Sequence, residues 1–291
     1  MTPFQTYACM VLCARDVDII WGQLPQQEGN PELPQAAGTD FAYLTQKYWE
    51  PIAQLRCDDL IISKGLNCYY GLVLRCVEAV GPFEQGDFLC AVRGTMDPVE
   101  WLNDALAEVP LSVPNVIGQV GFGFRTIYDS MTLNRLDGTL IGDNVAVALA
   151  ARIRSSAQNA PAKLHVVGHS LGAALATYLT ADLETALKGS KISLEPYFFA
   201  SPRTGTYDFV SNYRSSVGTY TLVNFAGDLV PNLPFLPPFQ TLMGGGPTHD
   251  VHVIPLDDPN APPLSPQNNH SPVSYARMLD PGNHAAQVLP L

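Results

Sequence analysis

The spacing of apolar and polar positions changes character several times along the chain. Cys68–Val77 and Asp87–Val92 are apolar runs separated by the Gly81-Pro82 turn, and they read as neighbouring strands. Gly142–Gln158, rich in Ala and Val with Asp143 or Asn144 near its start, reads as a helix. The pattern then alternates. Leu164–Val167 is a short strand, Leu171–Leu187 a helix, Pro196–Ala200 a strand, Tyr207–Ser215 a helix and Tyr220–Phe225 a strand. Such alternation predicts an α/β fold with a largely parallel sheet and helices on both faces. Tyr43–Leu55 is expected to be helical, residues 22–40 a surface loop, and Tyr7–Ala14 the start of a helix or strand. Pro231–Pro272 is loaded with Pro, Gly and Asn, as befits loops crossing the carboxyl ends of strands, where ligands bind in such folds. No repeat or low-complexity stretch divides the chain, and residues 1–291 are expected to form one domain.

Composition narrows the classes further. Hydrophobic residues make up 46% and charged residues 15%, enough apolar material for a sizeable core. The formal net charge of -11, without a cluster of Lys and Arg, argues against nucleic acid as a partner. No apolar run reaches the roughly 20 residues that span a bilayer. The N-terminus lacks the basic start and long apolar stretch of a secretory signal. The compartment stays open between the cytoplasm and secretion after earlier processing. Cys9, Cys13, Cys57, Cys68, Cys76 and Cys90 form no C-x-x-C pair and have no histidine among them, which disfavours a zinc site. They are expected to be core thiols, with a disulfide among Cys68, Cys76 and Cys90 as the alternative. No metal or cofactor is implied.

The strongest local signal is Leu164-His165-Val166-Val167-Gly168-His169-Ser170-Leu171-Gly172. A nucleophile at the tip of a tight strand-to-helix turn crowds the positions two before and two after it, which must therefore be small. Gly168 and Gly172 satisfy that demand, and Ala173, Ala174 and Ala176 let the following helix pack closely against the sheet. Ser170 is thus the candidate nucleophile. His165, inside the strand, reads as a core histidine with its hydrogen bonds satisfied, and His169 as a side chain packed beside the serine.

For a serine on such an elbow, the acid and then the base are expected later in the chain. Asp182 and Asp208 lie on helices and read as solvated. Asp228 follows the strand Tyr220–Phe225 through a Gly-containing turn and is the candidate acid. Four histidines come after it: His249, His252, His270 and His284. His252 alternates with Val251 and Val253 in a predicted strand, and His284 lies near the chain end. His270, in a mobile-looking loop directly before the helix-like Val273–Leu279, is the preferred base, with His249 as the main alternative.

Several separated segments together resemble the fungal-type (class 3) lipases of the α/β-hydrolase superfamily. They are Val92-Arg93-Gly94-Thr95 with Trp101 and Asp104, Val120–Phe124, Val166–Leu175, Tyr197–Arg203, Val223–Pro234, and His270 with Tyr275. Gly121 stands where that family usually has a histidine. The resemblance implies an α/β-hydrolase fold with a short helical lid, and hydrolysis of acylglycerol-type esters through Ser170, Asp228 and His270. Phospholipase or feruloyl-type activity with the same triad is the alternative, and a non-catalytic lipid- or protein-binding role a remote one. It also implies oxyanion-hole donors from Thr95 and Leu171, a lid over residues 96–108, and contact with a lipid–water interface. At about 100° per residue, Val99, Trp101, Leu102, Ala105 and Leu106 fall on one side of that segment, the amphipathic division expected of such a lid.

Overall fold

A computed structural model describes residues 1–22, 24, 31–35, 44–58, 67–94, 109–235, 237–242 and 249–282. The chain opens with a 20-residue helix, α1 (Pro3–Gly22). Its residues 7–14 are buried without interruption, so the helix shows no polar stripe there. A helix apolar all round in this way is a core element, covered on every side.

The strands follow as β1 (Trp49–Asp58), β2 (Asn67–Cys76) and β3 (Phe88–Val92). Most of the expected helix Tyr43–Leu55 is therefore corrected: from Trp49 onward it is β1, antiparallel to β2, while Tyr43 lies outside the described residues. The reason is burial on both faces, which erases the alternation that identifies a strand. Even Gln54 and Arg56 are buried. Gln54 donates to the carbonyls of Arg135 and Leu136, and Arg56 to the side chain and carbonyl of Asn67.

After β4 (Pro110–Ser112) and β5 (Gln119–Gly121) come α2 (Phe122–Asp129), β6 (Thr132–Asn134), β7 (Leu140–Gly142) and α3 (Val145–Ala157). The helix α3 starts as its sequence predicts: the Asn144 side chain accepts the N–H of Val147, filling one of the donors left over at a helix start. The alternating region supplies β8 (Ala162–His169), α4 (Leu171–Ala186), β9 (Ile192–Phe199), β10 (Gly205–Thr206), α5 (Tyr207–Ser216) and β11 (Tyr220–Phe225). A 3-10 turn at Val230–Asn232, β12 (Phe239–Gln240), β13 (His249–Ile254), α6 (Pro266–Asn269) and α7 (Pro272–Leu279) complete the order.

Among the described residues the main sheet has nine strands in the order β13-β11-β9-β8-β3-β2-β1-β6-β7. From β13 to β3 all neighbours are parallel; from β3 onward they are antiparallel. The parallel half is the one the sequence announces, because each of its crossovers needs an intervening helix or long connection. A second, four-stranded sheet runs β12-β10-β5-β4. Two apolar cores flank the main sheet, one built with α2–α5, the other with α1 and α7.

All six cysteines are buried, as expected of core thiols, and Cys13, Cys76 and Cys90 are free. Cys90 lies opposite Val73 and so faces neither Cys68 nor Cys76; the pair brought into register is Cys57 and Cys68.

Candidate active site

Because β8, β9, β11 and β13 are parallel, their carboxyl ends share one edge of the sheet, and three loops leave it side by side. Ser170 stands at the junction of β8 and α4 with φ 60° and ψ -129°, a backbone conformation costly for a residue with a Cβ. Its N–H donates to the carbonyl of Phe199 at 3.0 Å, which ties the bend to the neighbouring strand. The small residues around it are required by distance. A Cβ on Gly168 would stand 2.3 Å from the Gly172 carbonyl oxygen, and one on Gly172 would stand 2.4 Å from that of Val92. As the first residue of α4, Leu171 has an N–H with no intrahelical acceptor.

His270 is the meeting point. Its Nε2 lies 2.7 Å from Ser170 Oγ and its Nδ1 2.8 Å from Asp228 Oδ2. A carboxylate only accepts, so Nδ1 carries the proton and Nε2 offers its lone pair to the serine hydroxyl. All three side chains are buried. His270 caps α6 and lies two residues before the start of α7, the final helix that anchors its segment. Asn269 Nδ2 donates to the Gly227 carbonyl at 2.7 Å, joining the histidine's segment to the turn that carries Asp228.

Asp228 is held from both oxygens. Oδ1 accepts the N–H of Val230 at 3.0 Å, and Oδ2 accepts the Tyr275 hydroxyl at 2.9 Å besides the imidazole. The Tyr275 oxygen in turn accepts the N–H of Phe225 at 3.0 Å. Sequence reasoning gave Tyr275 no role of its own; a tyrosine five positions after the base was its only signal. Tyr275→Phe leaves a buried N–H without its partner and takes one donor from the carboxylate. It is expected to cost about 1–3 kcal/mol in chemical denaturation, with turnover lowered on the order of tenfold. Wild-type stability and rate in that variant would remove Tyr275 from the site.

The other histidines separate by position. His249 begins β13 opposite Tyr220, the first residue of β11, and so lies at the far edge of the sheet from Ser170. There it stacks on Tyr220, and its Nε2 meets the Val217 carbonyl at 3.2 Å. His252 pairs with Asp250 and packs against Phe4 and Tyr7 of α1. His165 is buried as expected of a core histidine, but its Nε2 stands 3.6 Å from Asp87 Oδ2, beyond hydrogen-bond distance. His169 packs beside the nucleophile with its ring 4.7 Å from that of His270; burial, reinforced by His270, holds its pKa well below the ordinary value and keeps it uncharged. Asp182 accepts the Tyr128 hydroxyl, and both it and Asp208 are exposed. His284, Thr95 and the expected lid over 96–108, with Val99, Trp101, Leu102 and Leu106, lie outside the described residues.

A cavity of about 350 Å³ opens directly beside the triad, lined by Asp228, Leu229, Val230, Leu264, Pro266 and His270 among others. Leu229 and Leu264 are exposed at its rim. A larger one of about 690 Å³, between α2, α4 and α5, includes no triad residue and has mixed charge from Arg125, Asp182, Glu184 and Lys188. The smaller is the one the chemistry could use. No helix among the described residues is long and apolar enough to cross a membrane.

The backbone matches solved α/β-hydrolases. A lipase from Rhizopus microsporus var. chinensis superposes with a TM-score of 0.55 at 18% identity, over 79% of this chain and 68% of that one. The Rhizomucor miehei lipase in its propeptide complex gives 0.54 at 19% identity, over 95% and 77%. Residues 89–237, about half of the chain, match the sequence profile of the class 3 lipases, and the chain belongs to that family. Among curated relatives, phospholipase A1-II 7 of Oryza sativa subsp. indica is 29% identical over 177 residues, 54% of this chain. That match spans 43% of the relative's own length.

Proposed function

We propose that this chain is a serine carboxylester hydrolase acting on acylglycerol-type lipids. The hydrogen-bonded series Ser170–His270–Asp228, presented on a strained bend, is the observation that carries the reading. In the first step the Ser170 oxygen attacks the ester carbonyl while its proton passes to His270 Nε2. The negative oxygen of the tetrahedral intermediate is held by the N–H groups of Leu171 and Thr95. His270 then gives the proton to the departing alcohol as the C–O bond breaks, leaving an acyl-serine. Water repeats the sequence: its proton goes to His270 and its oxygen to the acyl carbon, the bond from that carbon to Ser170 Oγ breaks, the serine takes the proton back and the carboxylic acid leaves. Asp228 keeps the imidazole in the productive tautomer and stabilises its protonated form. No step calls for a metal or an organic cofactor.

The apolar cavity beside His270, with Leu229 and Leu264 exposed at its rim, suits a hydrocarbon chain more than a polar acyl group. The segment 96–108 is assigned as a lid whose apolar side, with Val99, Trp101, Leu102 and Leu106, turns outward at a lipid surface. A second reading has one observation in its favour: the rice and Arabidopsis relatives are phospholipases A1. Emulsified triacylglycerol and phosphatidylcholine vesicles, offered separately with fatty-acid release as the readout, distinguish the two. Release from the triacylglycerol at the higher kcat/KM is expected, and the reverse order would establish the phospholipase reading instead. A fluorophosphonate that reacts with wild-type protein but leaves Ser170 unmodified would refute both.

A further inference from the structure

One acidic side chain near the triad takes part in none of these steps. Asp18 lies near the carboxyl end of α1 and is partly buried. Its Oδ1 accepts the backbone N–H of Gly94 at 3.0 Å. Gly94 is the residue before Thr95, and it lies against the bend: a Cβ placed on it would stand 2.9 Å from the His169 carbonyl oxygen and 3.5 Å from Ser170 Cβ. The turn leaving β3 is therefore clasped between the nucleophile's backbone on one side and the Asp18 carboxyl on the other.

The groups facing Asp18 come from three elements. Arg93, fully buried, donates Nε to the Tyr69 carbonyl at 3.2 Å, stands 4.1 Å over the Tyr70 ring, and attracts the carboxylate. The His270 ring attracts it too, and the Tyr69 hydroxyl is close enough to feel its charge. A carboxylate at this place does α1 no service. Near a helix carboxyl end it opposes the helix dipole, and burial pushes its pKa up to about 7, against the pull of Arg93, the Gly94 N–H and His270. A costly charge at a reactive edge is the mark of a functional constraint.

We propose that Asp18 is a positioning residue for the oxyanion turn: it grips the N–H of Gly94, which packs against the Ser170 bend, and so fixes the backbone from which Thr95 follows. The proposal rests on the hydrolase reading, because an oxyanion donor contributes only when it is fixed before the charge develops. It also gives α1 a part in the chemistry of a site otherwise built from the sheet and its later loops.

The sign of the accompanying pH effect follows from linkage. The fold binds the Asp18 proton more tightly than the unfolded chain does. Ionisation therefore costs stability progressively between pH 3.8 and about 7, and fully above that interval.

Asp18→Asn and Asp18→Ala in the full chain test this. The Asn amide oxygen can still accept from Gly94 but carries no charge; Ala can do neither. Turnover of p-nitrophenyl butyrate is measured per phosphonate-titratable serine, so that unfolded material drops out. Amide hydrogen exchange at Gly94 is followed separately, without reference to activity. For Ala, exchange is expected to quicken and kcat to fall on the order of tenfold at nearly constant KM, less than for direct loss of an oxyanion donor. Asn should restore both near neutral pH, and its Tm should exceed wild type at pH 8 by a margin that vanishes toward pH 4. Wild-type kcat and wild-type Gly94 exchange in the Ala variant, whatever its Tm, overturn the proposal. A wild-type chain that neither cleaves the ester nor takes the phosphonate overturns the hydrolase reading and, with it, the catalytic half. Exchange at Gly94 then decides the grip of Asp18 by itself.

Discussion

Replacing Ser170 by Ala is expected to lower kcat on the order of 10³–10⁶-fold while leaving substrate affinity nearly unchanged. The hydroxyl is the atom that forms the acyl bond, and among the described residues no other hydroxyl meets His270 Nε2. Without it, only water positioned by the remaining donors can react. His270→Ala should fall into the same range, because the two residues act as one unit, whereas His249→Ala should keep wild-type turnover at the far edge of the sheet. Ester hydrolysis followed with all three variants at matched folded concentration checks this. A dead His249 variant beside an active His270 variant would reassign the base, and a mild loss in Ser170→Ala would mean another nucleophile.

Asp228→Asn should lower kcat on the order of 10⁴-fold with the fold intact. Its cause differs from that of the serine loss. The carboxylate accepts from three donors, the Nδ1 proton of His270, the Tyr275 hydroxyl and, through its other oxygen, the Val230 N–H. An amide placed there presents its NH₂ to at least one of them. If that face meets the imidazole, Nδ1 must accept and Nε2 must carry the proton, so the ring can no longer take one from Ser170. Activity should partly return at alkaline pH, where hydroxide can replace the missing base. Thermal unfolding near that of wild type, together with the kinetic loss, separates this tautomer effect from simple collapse. An active Asp228→Asn variant would place the orienting acid elsewhere.

The elements that position the site were legible wherever burial is one-sided or a local rule is strict. Gly168 and Gly172 flank Ser170 because backbone oxygens stand where a Cβ would go, and that contact lies within a few residues of sequence. The Asn144 cap and the strand–helix alternation from β8 to β11 are local in the same sense. The failure at Trp49–Asp58 has the opposite cause. A strand covered on both faces, with Gln54 bonded to the carbonyl of Arg135 and Arg56 to Asn67 on the neighbouring strand, carries no period that a window of sequence can detect. The hold on His270 escapes a window of sequence for a related reason: the contacts come from Gly227 and Asp228, more than forty positions away.

The sequence by itself determined the nucleophile's bend and the parallel half of the sheet, because each depends on residue size or periodicity along the chain, and the bend in turn implied that acid and base follow in that order. It left four histidines to choose among. Only the tertiary structure decided between those within the described residues, since parallel pairing sends the start of β13 to one edge and the residues beyond it to the other. It alone brought Tyr275 to the carboxylate and Asp18 to Gly94. Contacts of that kind join positions whose sequence neighbourhoods bear no mark of each other, and they exist only once the sheet has set its strands side by side.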